Sequence, residues 1–246
     1  MSKNKLIQYI VLILVIIIIG GYFVWQGKFK QEPNNQSNST NQSLGVERFF
    51  EFKVLDQTLS TELKNKYYGD FSQMKAVLEK DNKNTDALKE IAKIKTYIGD
   101  YEGAREIYLY AEAISPLNYT IPASLADLCH NFIKDYTCAE DAYKRAIDKC
   151  VGKTETDCSL IYMNLYDLYY NIRHDNALAE NILKEGLVKL PDNVNLPTSL
   201  ANHYKKIGDN AKAKEIYEKI LKLDPKDENI KAVQEAVRRE MENLPK

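Results

Sequence analysis

Four cysteines and three histidines are the side chains of this 246-residue chain with the most obvious chemistry. Cys129, Cys138, Cys150 and Cys158 are separated by nine, twelve and eight residues, which fits no zinc motif, and His130, His174 and His203 do not join them in a ligand-spaced cluster. Two readings of the cysteines stand. In a reducing compartment they are small buried hydrophobes; outside a membrane, an even count crowded into one stretch is a disulfide framework, Cys129 with Cys138 across a hairpin and Cys150 with Cys158 across an inserted loop. The histidines are scattered singly, and each reads as a surface or capping residue rather than a base. The chain has no Gly-rich phosphate loop, no nucleophile elbow and no paired His-Glu zinc helix. It is therefore expected to carry no catalytic, cofactor-binding or metal site, and not to be an enzyme.

The elements that must hold these residues repeat at about 34 residues. Ala104, Ala139, Ala179 and Ala213 are followed at plus four by Tyr108, Tyr143, Leu183 and Tyr217, and at plus seven by Ala111, Ala146, Gly186 and Ile220. Plus four and plus seven share one helical face, so the small residue admits a neighbouring helix and the aromatic wedges beside it. About 13 residues earlier stand apolar-small pairs, Ile91-Ala92, Leu125-Ala126 and Leu200-Ala201, with Tyr166-Asp167 the poor copy. Gly99-Asp100 and Gly208-Asp209 fall between the two helices of the first and last units. Glycine there can take a positive φ and aspartate can cap the next helix.

These residues resemble the tetratricopeptide repeat family. The last unit, 194–227, carries Leu200, Ala201, Tyr204, Gly208, Ala213, Tyr217 and Pro225 in that family's pattern, departing at Ile220, where a small residue is usual. The second unit has one extra residue in its inner turn and an insertion between Cys150 and Cys158, and the third has His174 in place of the turn glycine. The resemblance implies an all-α fold: a solenoid of about four helical hairpins, with units at 85–118, 119–159, 160–193 and 194–227. Residues 228–246 read as a capping helix, with Ile230, Val233, Val237 and Met241 in one stripe and Lys231, Gln234, Arg238 and Glu242 facing away. Residues 46–84 read as an N-terminal helical hairpin turning at Gly69-Asp70, with Phe49, Phe50 and Phe52 packed on it.

Ahead of the repeats, a short tail of residues 1–5 precedes an uncharged run at 6–25. As a helix that run is roughly 30 Å long, enough to cross a bilayer, and it leaves through aromatics rather than a small-x-small cleavage site. Lys3 and Lys5 before it and Lys28 and Lys30 after it nearly balance, and the short basic N-terminus tips the expected orientation to N-in with extracytoplasmic repeats. Residues 26–45 are Asn-, Gln- and Ser-rich and read as a disordered polar tether. A net charge of -1 leaves no basic excess for nucleic acid.

The expected function is a membrane-tethered scaffold that binds proteins or peptides at the cell envelope, chaperone-like or beside a protein-export machine, without a small-molecule substrate. The alternative is a structural assembly component of a pilus, secretion or cell-wall complex. Partners are expected on the concave face lined by the first helix of each unit. Counting from the core pairs, that stripe reads Lys89, Lys93, Thr96; Ala123, Asp127, His130; Asn164, Leu168, Asn171; Thr198, Asn202, Lys205. Its amide and ammonium donors suit peptide backbone and carboxylate groups.

Overall fold

A computed structural model describes residues 45–150, 155–225 and 228–244. The expected tail, the expected span at 6–25, the tether except for Gly45 and loop residues 151–154 lie outside the described residues. No helix among the described residues is long and apolar enough to cross a membrane.

The described elements are all helical. A short turn of helix at Val46–Phe49 leads into α1 (Thr61–Lys80), followed by four pairs and a final helix. The pairs are α2 (Thr85–Tyr97) with α3 (Tyr101–Ile114), α4 (Thr120–Asp127) with α5 (Tyr136–Cys150), α6 (Glu155–Asp167) with α7 (Asn176–Lys189), and α8 (Asn195–Lys206) with α9 (Asn210–Leu221); α10 (Glu228–Glu242) closes the stack. The repeating alanines sit in the core: Ala104, Ala139, Ala179 and Ala213 are all fully buried. Burying each large neighbour, such as Ile91, Ile107, Leu125 or Leu183, contributes about 1.5–3 kcal/mol.

Between the helices of each pair one residue turns left-handed. Gly99 and Gly208 take φ of 85°, and Lys134 and His174 hold the same place at 63° and 53°. The following aspartate then caps the second helix, Asp100 accepting from the Gly103 amide, Asp135 from Cys138, Asp175 from Leu178 and Asp209 from Lys212. Gly99 has a second duty. Leu55 and Asp56 both donate backbone N–H to Ile98 O, and a Cβ on Gly99 would stand 2.8 Å from the Asp56 nitrogen. The extended segment ahead of α1 is thereby strapped across the first turn, with Lys95 Nζ donating to Glu51 O and to Asp100.

The second and third pairs differ from the others by one residue. Their first helices end in π-helical turns, Leu128–Ile133 and Leu168–Ile172, which absorb the extra residue before the left-handed turn. The true partner of Leu125-Ala126 in the third unit is consequently Leu165-Tyr166, with Leu165 fully buried, and not Tyr166-Asp167.

Two other expectations are corrected. Residues 46–84 contain no hairpin, because α1 runs unbroken through Gly69 and Asp70. Continuity keeps Tyr67, Phe71, Met74 and Leu78 on one face against the core, and this outweighs the cost of about 1 kcal/mol for a mid-helix glycine. Gln234 does not face away. It is buried, and its Nε2 donates to the carbonyls of Ile220 at 3.2 Å, Leu221 at 3.4 Å and Leu223 at 2.9 Å, where α9 ends. Phe52 packs as expected on α1, against Phe71, and Lys75 of α1 lies over the Phe50 ring, whereas Phe49 packs on Tyr110 of α3.

Both cysteine pairs are bonded in this structure, Cys129 to Cys138 and Cys150 to Cys158, each with Cα atoms 5.8 Å apart. The first joins the π turn after α4 to the start of α5; the second joins the end of α5 to α6.

Candidate functional site

The first helices carry the expected stripe, and the structure divides it. Lys93, Thr96, Asp127 and Asn164 line one groove of about 430 Å³ that crosses the first three pairs, together with Tyr97, Asn131 and Phe132. Tyr97 and Phe132 are 42% and 39% exposed, so the groove has aromatic walls open to solvent.

Several stripe residues are committed inside the fold. Thr96 is buried, donating to Ala92 O at 2.9 Å, and Thr198 Oγ1 donates to Val194 O at 2.8 Å. Lys89 is half-buried between Asp86 and Thr120, and Lys205 pairs with Glu240 of α10. Leu168 is core, 0% exposed, a correction with a plain cause: the π turn shifts the third unit by one, so the equivalents of Ala123, Asp127 and His130 are Met163, Asp167 and Tyr170. Asn171 is exposed and donates to Asp167, and Asn164 reaches back to Asp127 at 3.4 Å.

A pattern of tyrosines holds this stripe. In the second and fourth pairs the plus-four tyrosine of the second helix donates to the stripe residue of its own pair, Tyr143 to Asp127 at 2.9 Å and Tyr217 to Asn202, whereas Tyr108 of the first pair meets Ser124 of the next. The third pair has Leu183 there, and Asp167 turns to Asn171 instead. A second set links neighbours: Tyr169 donates to Glu140 at 2.9 Å and Tyr204 to Glu180 at 2.7 Å. The equivalent of Tyr169 in the second pair is Cys129, whose bond runs to Cys138 within the pair.

Burial pushes the Asp127 carboxyl up, against the hydrogen bond from Tyr143, and the Tyr143 hydroxyl is in turn raised well above its usual range by burial and by that carboxylate. His130 is buried, not a surface residue. Its Nδ1 lies 3.3 Å from the Tyr143 hydroxyl, and burial holds its pKa below the usual value despite Asp167 and Asp127. His203 is likewise no surface group: it is 0% exposed, edge-on to Tyr166 and Tyr170 at 5.7 and 5.6 Å, and among the described residues neither ring nitrogen finds a hydrogen-bond partner. Only His174 is exposed, at the third left-handed turn.

Sequence reasoning missed Tyr97, Asn131 and Phe132. Tyr97 and Phe132 stand two residues before the left-handed residue of their pairs, as do Ile172 and Lys206 in the last two, and that offset was the available signal. A larger hollow of about 930 Å³ lies between the last two pairs and α10, walled by Leu187, Pro191, Ile216 and Leu223. Its lysines are matched, Lys184 with Glu180, Lys212 with Asp209 and Lys219 with Glu215, while Asp192 and Asp224 of its lining form no ion pair among the described residues. Among the described residues no group of His, Cys, Asp or Glu is placed to hold a metal ion.

Comparison with known proteins agrees with this architecture. Residues 172–237 match the tetratricopeptide repeat family. No curated protein matches the chain. Among solved structures, the crystal structure of MamA is similar with a TM-score of 0.50 at 19% identity, over 72% of this chain and 94% of that one. The Pseudomonas aeruginosa pilF protein is similar with a TM-score of 0.50 at 16% identity, over 74% and 86%. At such identities the likeness concerns fold. The chain thus has an all-α, tetratricopeptide-type solenoid fold, and residues 172–237 match that repeat family in sequence as well.

Proposed function

We propose that the chain is a protein-interaction scaffold whose groove along α2, α4 and α6 receives an extended segment of a partner protein. The observation that carries this reading is the groove itself: solvent-open aromatic rings of Tyr97 and Phe132 beside the amides of Asn131 and Asn164 offer apolar contact and backbone hydrogen bonds together. Solenoids of this kind present such surfaces because each pair spends its inner faces on its neighbours and leaves the concave side uncommitted. A photo-crosslinking residue at position 131 should yield a discrete partner adduct in cells, and one at exposed Leu109 on α3 should not. Adducts at 109 with none at 131 would overturn the groove assignment.

The scaffold acts at the cell envelope, held by a helix over residues 6–25 with the repeats on the extracytoplasmic side. Support comes from the uncharged run, the basic N-terminus and cysteine pairs whose Cα separations of 5.8 Å suit bridges in an oxidising compartment. Carbonate-resistant membrane association, and digestion of the repeats by protease added to intact spheroplasts, are the expected results. Release by carbonate would remove the anchor from this reading, and full protection would reverse the orientation.

A further inference from the structure

The groove holds one acidic group whose placement is unusual for a solvated carboxylate. Asp127 is half-buried at its floor, and both of its hydrogen bonds among the described residues, from Tyr143 and from Asn164, arrive at Oδ1. Oδ2 takes none among them. Burial disfavours this charge, and no lysine or arginine among the described residues pairs with it, although sixteen other acids among them are paired. The nearest lining cation, Lys93, is turned to Glu90 at 3.6 Å. Tyr97 and Phe132, both partly exposed, and Asn131 line the same groove as this carboxylate.

A half-desolvated carboxylate oxygen in a groove also lined by aromatic side chains is complementary to a cation that is planar and weakly hydrated. Guanidinium meets that description better than ammonium, because it stacks on rings and donates in plane to a carboxylate and to amide carbonyls at once. We propose that Asp127, walled by Tyr97 and Phe132, is the seat for an arginine side chain carried on the partner segment. The proposal rests on the scaffold reading and specifies the chemistry of its ligand. His130 and Asp167 adjoin the site electrostatically, His130 through the Tyr143 hydroxyl and Asp167 through its field on His130, and neither offers a competing cation while the imidazole is neutral. Lys93 opposes the incoming charge, which makes the seat selective for a segment that can displace or bypass it.

The test uses two fluorescein-labelled peptides, Gly-Ser-Gly-Ser-Arg-Ser-Gly-Ser-Gly and its citrulline counterpart, neutral and nearly isosteric, titrated into the detergent-solubilised full chain by anisotropy. The arginine peptide should bind at least tenfold more tightly. Asp127→Asn keeps an acceptor for Tyr143 and should bring the ratio to within twofold. Phe132→Ala, at an exposed ring, should weaken the arginine peptide at least threefold, and Lys93→Gln should strengthen it. Equal binding of the two peptides, no measurable binding of either, or a ratio unchanged in both Asp127→Asn and Phe132→Ala overturns the arginine seat. If adducts at position 131 persist in any of those cases, the scaffold reading survives and only its ligand chemistry falls.

Discussion

Replacing His203 with leucine should make the repeat stack more stable and less sensitive to acid. The imidazole is fully buried between α6 and α8 against Tyr166, Tyr170 and Tyr204, and its two nitrogens lack partners among the described residues. Burial lowers its pKa; Lys206, stacked over Tyr166 and Tyr170, adds to that, and Glu180 works against it. The folded state therefore holds a neutral ring, while the unfolded chain takes a proton at about pH 6.5. Stability from this group is complete above that value and falls as pH drops below it, by at most about 1.4 kcal/mol per pH unit until the folded ring protonates too. Removing the unsatisfied nitrogens is worth a further 1–3 kcal/mol or so at neutral pH, less the ring contacts that leucine cannot make. Urea midpoints of wild type and His203→Leu at pH 7.5, 6.5 and 5.5 measure both effects, since carboxylate titrations common to the two proteins cancel in the difference. A gap that widens toward pH 5.5 is expected. Parallel midpoints, or a His203 ring proton that titrates near 6.5 in the folded protein, would refute the reasoning.

Three other outcomes are expected. Gly99→Ala should destabilise more than Gly208→Ala: both strain a left-handed turn by about 1 kcal/mol, but only at Gly99 does the new Cβ meet the Asp56 amide, so the difference in melting temperature isolates the strap. Gln234→Ala should cost about 1–3 kcal/mol by taking its amide donor from the carbonyls of Leu221 and Leu223, and hydrogen exchange should quicken first in α9 and α10; unchanged protection there would show that water replaces the amide. A thiol count on the unfolded, unreduced protein should find none reactive, and four would show that the chain carries reduced cysteines.

The architecture was legible because the residues that signal it are those that packing constrains most. An alanine such as Ala139 can be no larger, a Tyr143 must fill the space beside it, and a Gly208 must turn left-handed, so the pattern survives in letters. Legibility ended where one residue could be added without altering composition. Nothing in the letters of Leu168 distinguishes a groove residue from a core one until the π turn is seen, and the stripe slipped by one there. Gly69 and Gln234 misled for a related reason: a turn-forming pair and a polar side chain have local preferences, and tertiary burial of Phe71 and of the α9 carbonyls overrode them. Of the expected stripe, Lys93, Thr96, Asp127 and Asn164 line one hollow, while Tyr97 and Phe132, which also line it, lie outside the helical stripe that was counted.

The π turns also sort the four pairs into two spacings. Forty residues separate Lys134 from His174, and the same number separates Ala139 from Ala179 and Asp127 from Asp167, so the second and third pairs match each other throughout. Gly99 and Gly208 are 109 apart, as are Ala92 and Ala201, and Ala104 and Ala213, so the first and fourth match each other instead. The inner pairs thus share one internal spacing and the outer pairs another, so the one-residue step between the two spacings falls at both ends of the inner pairs and nowhere between them.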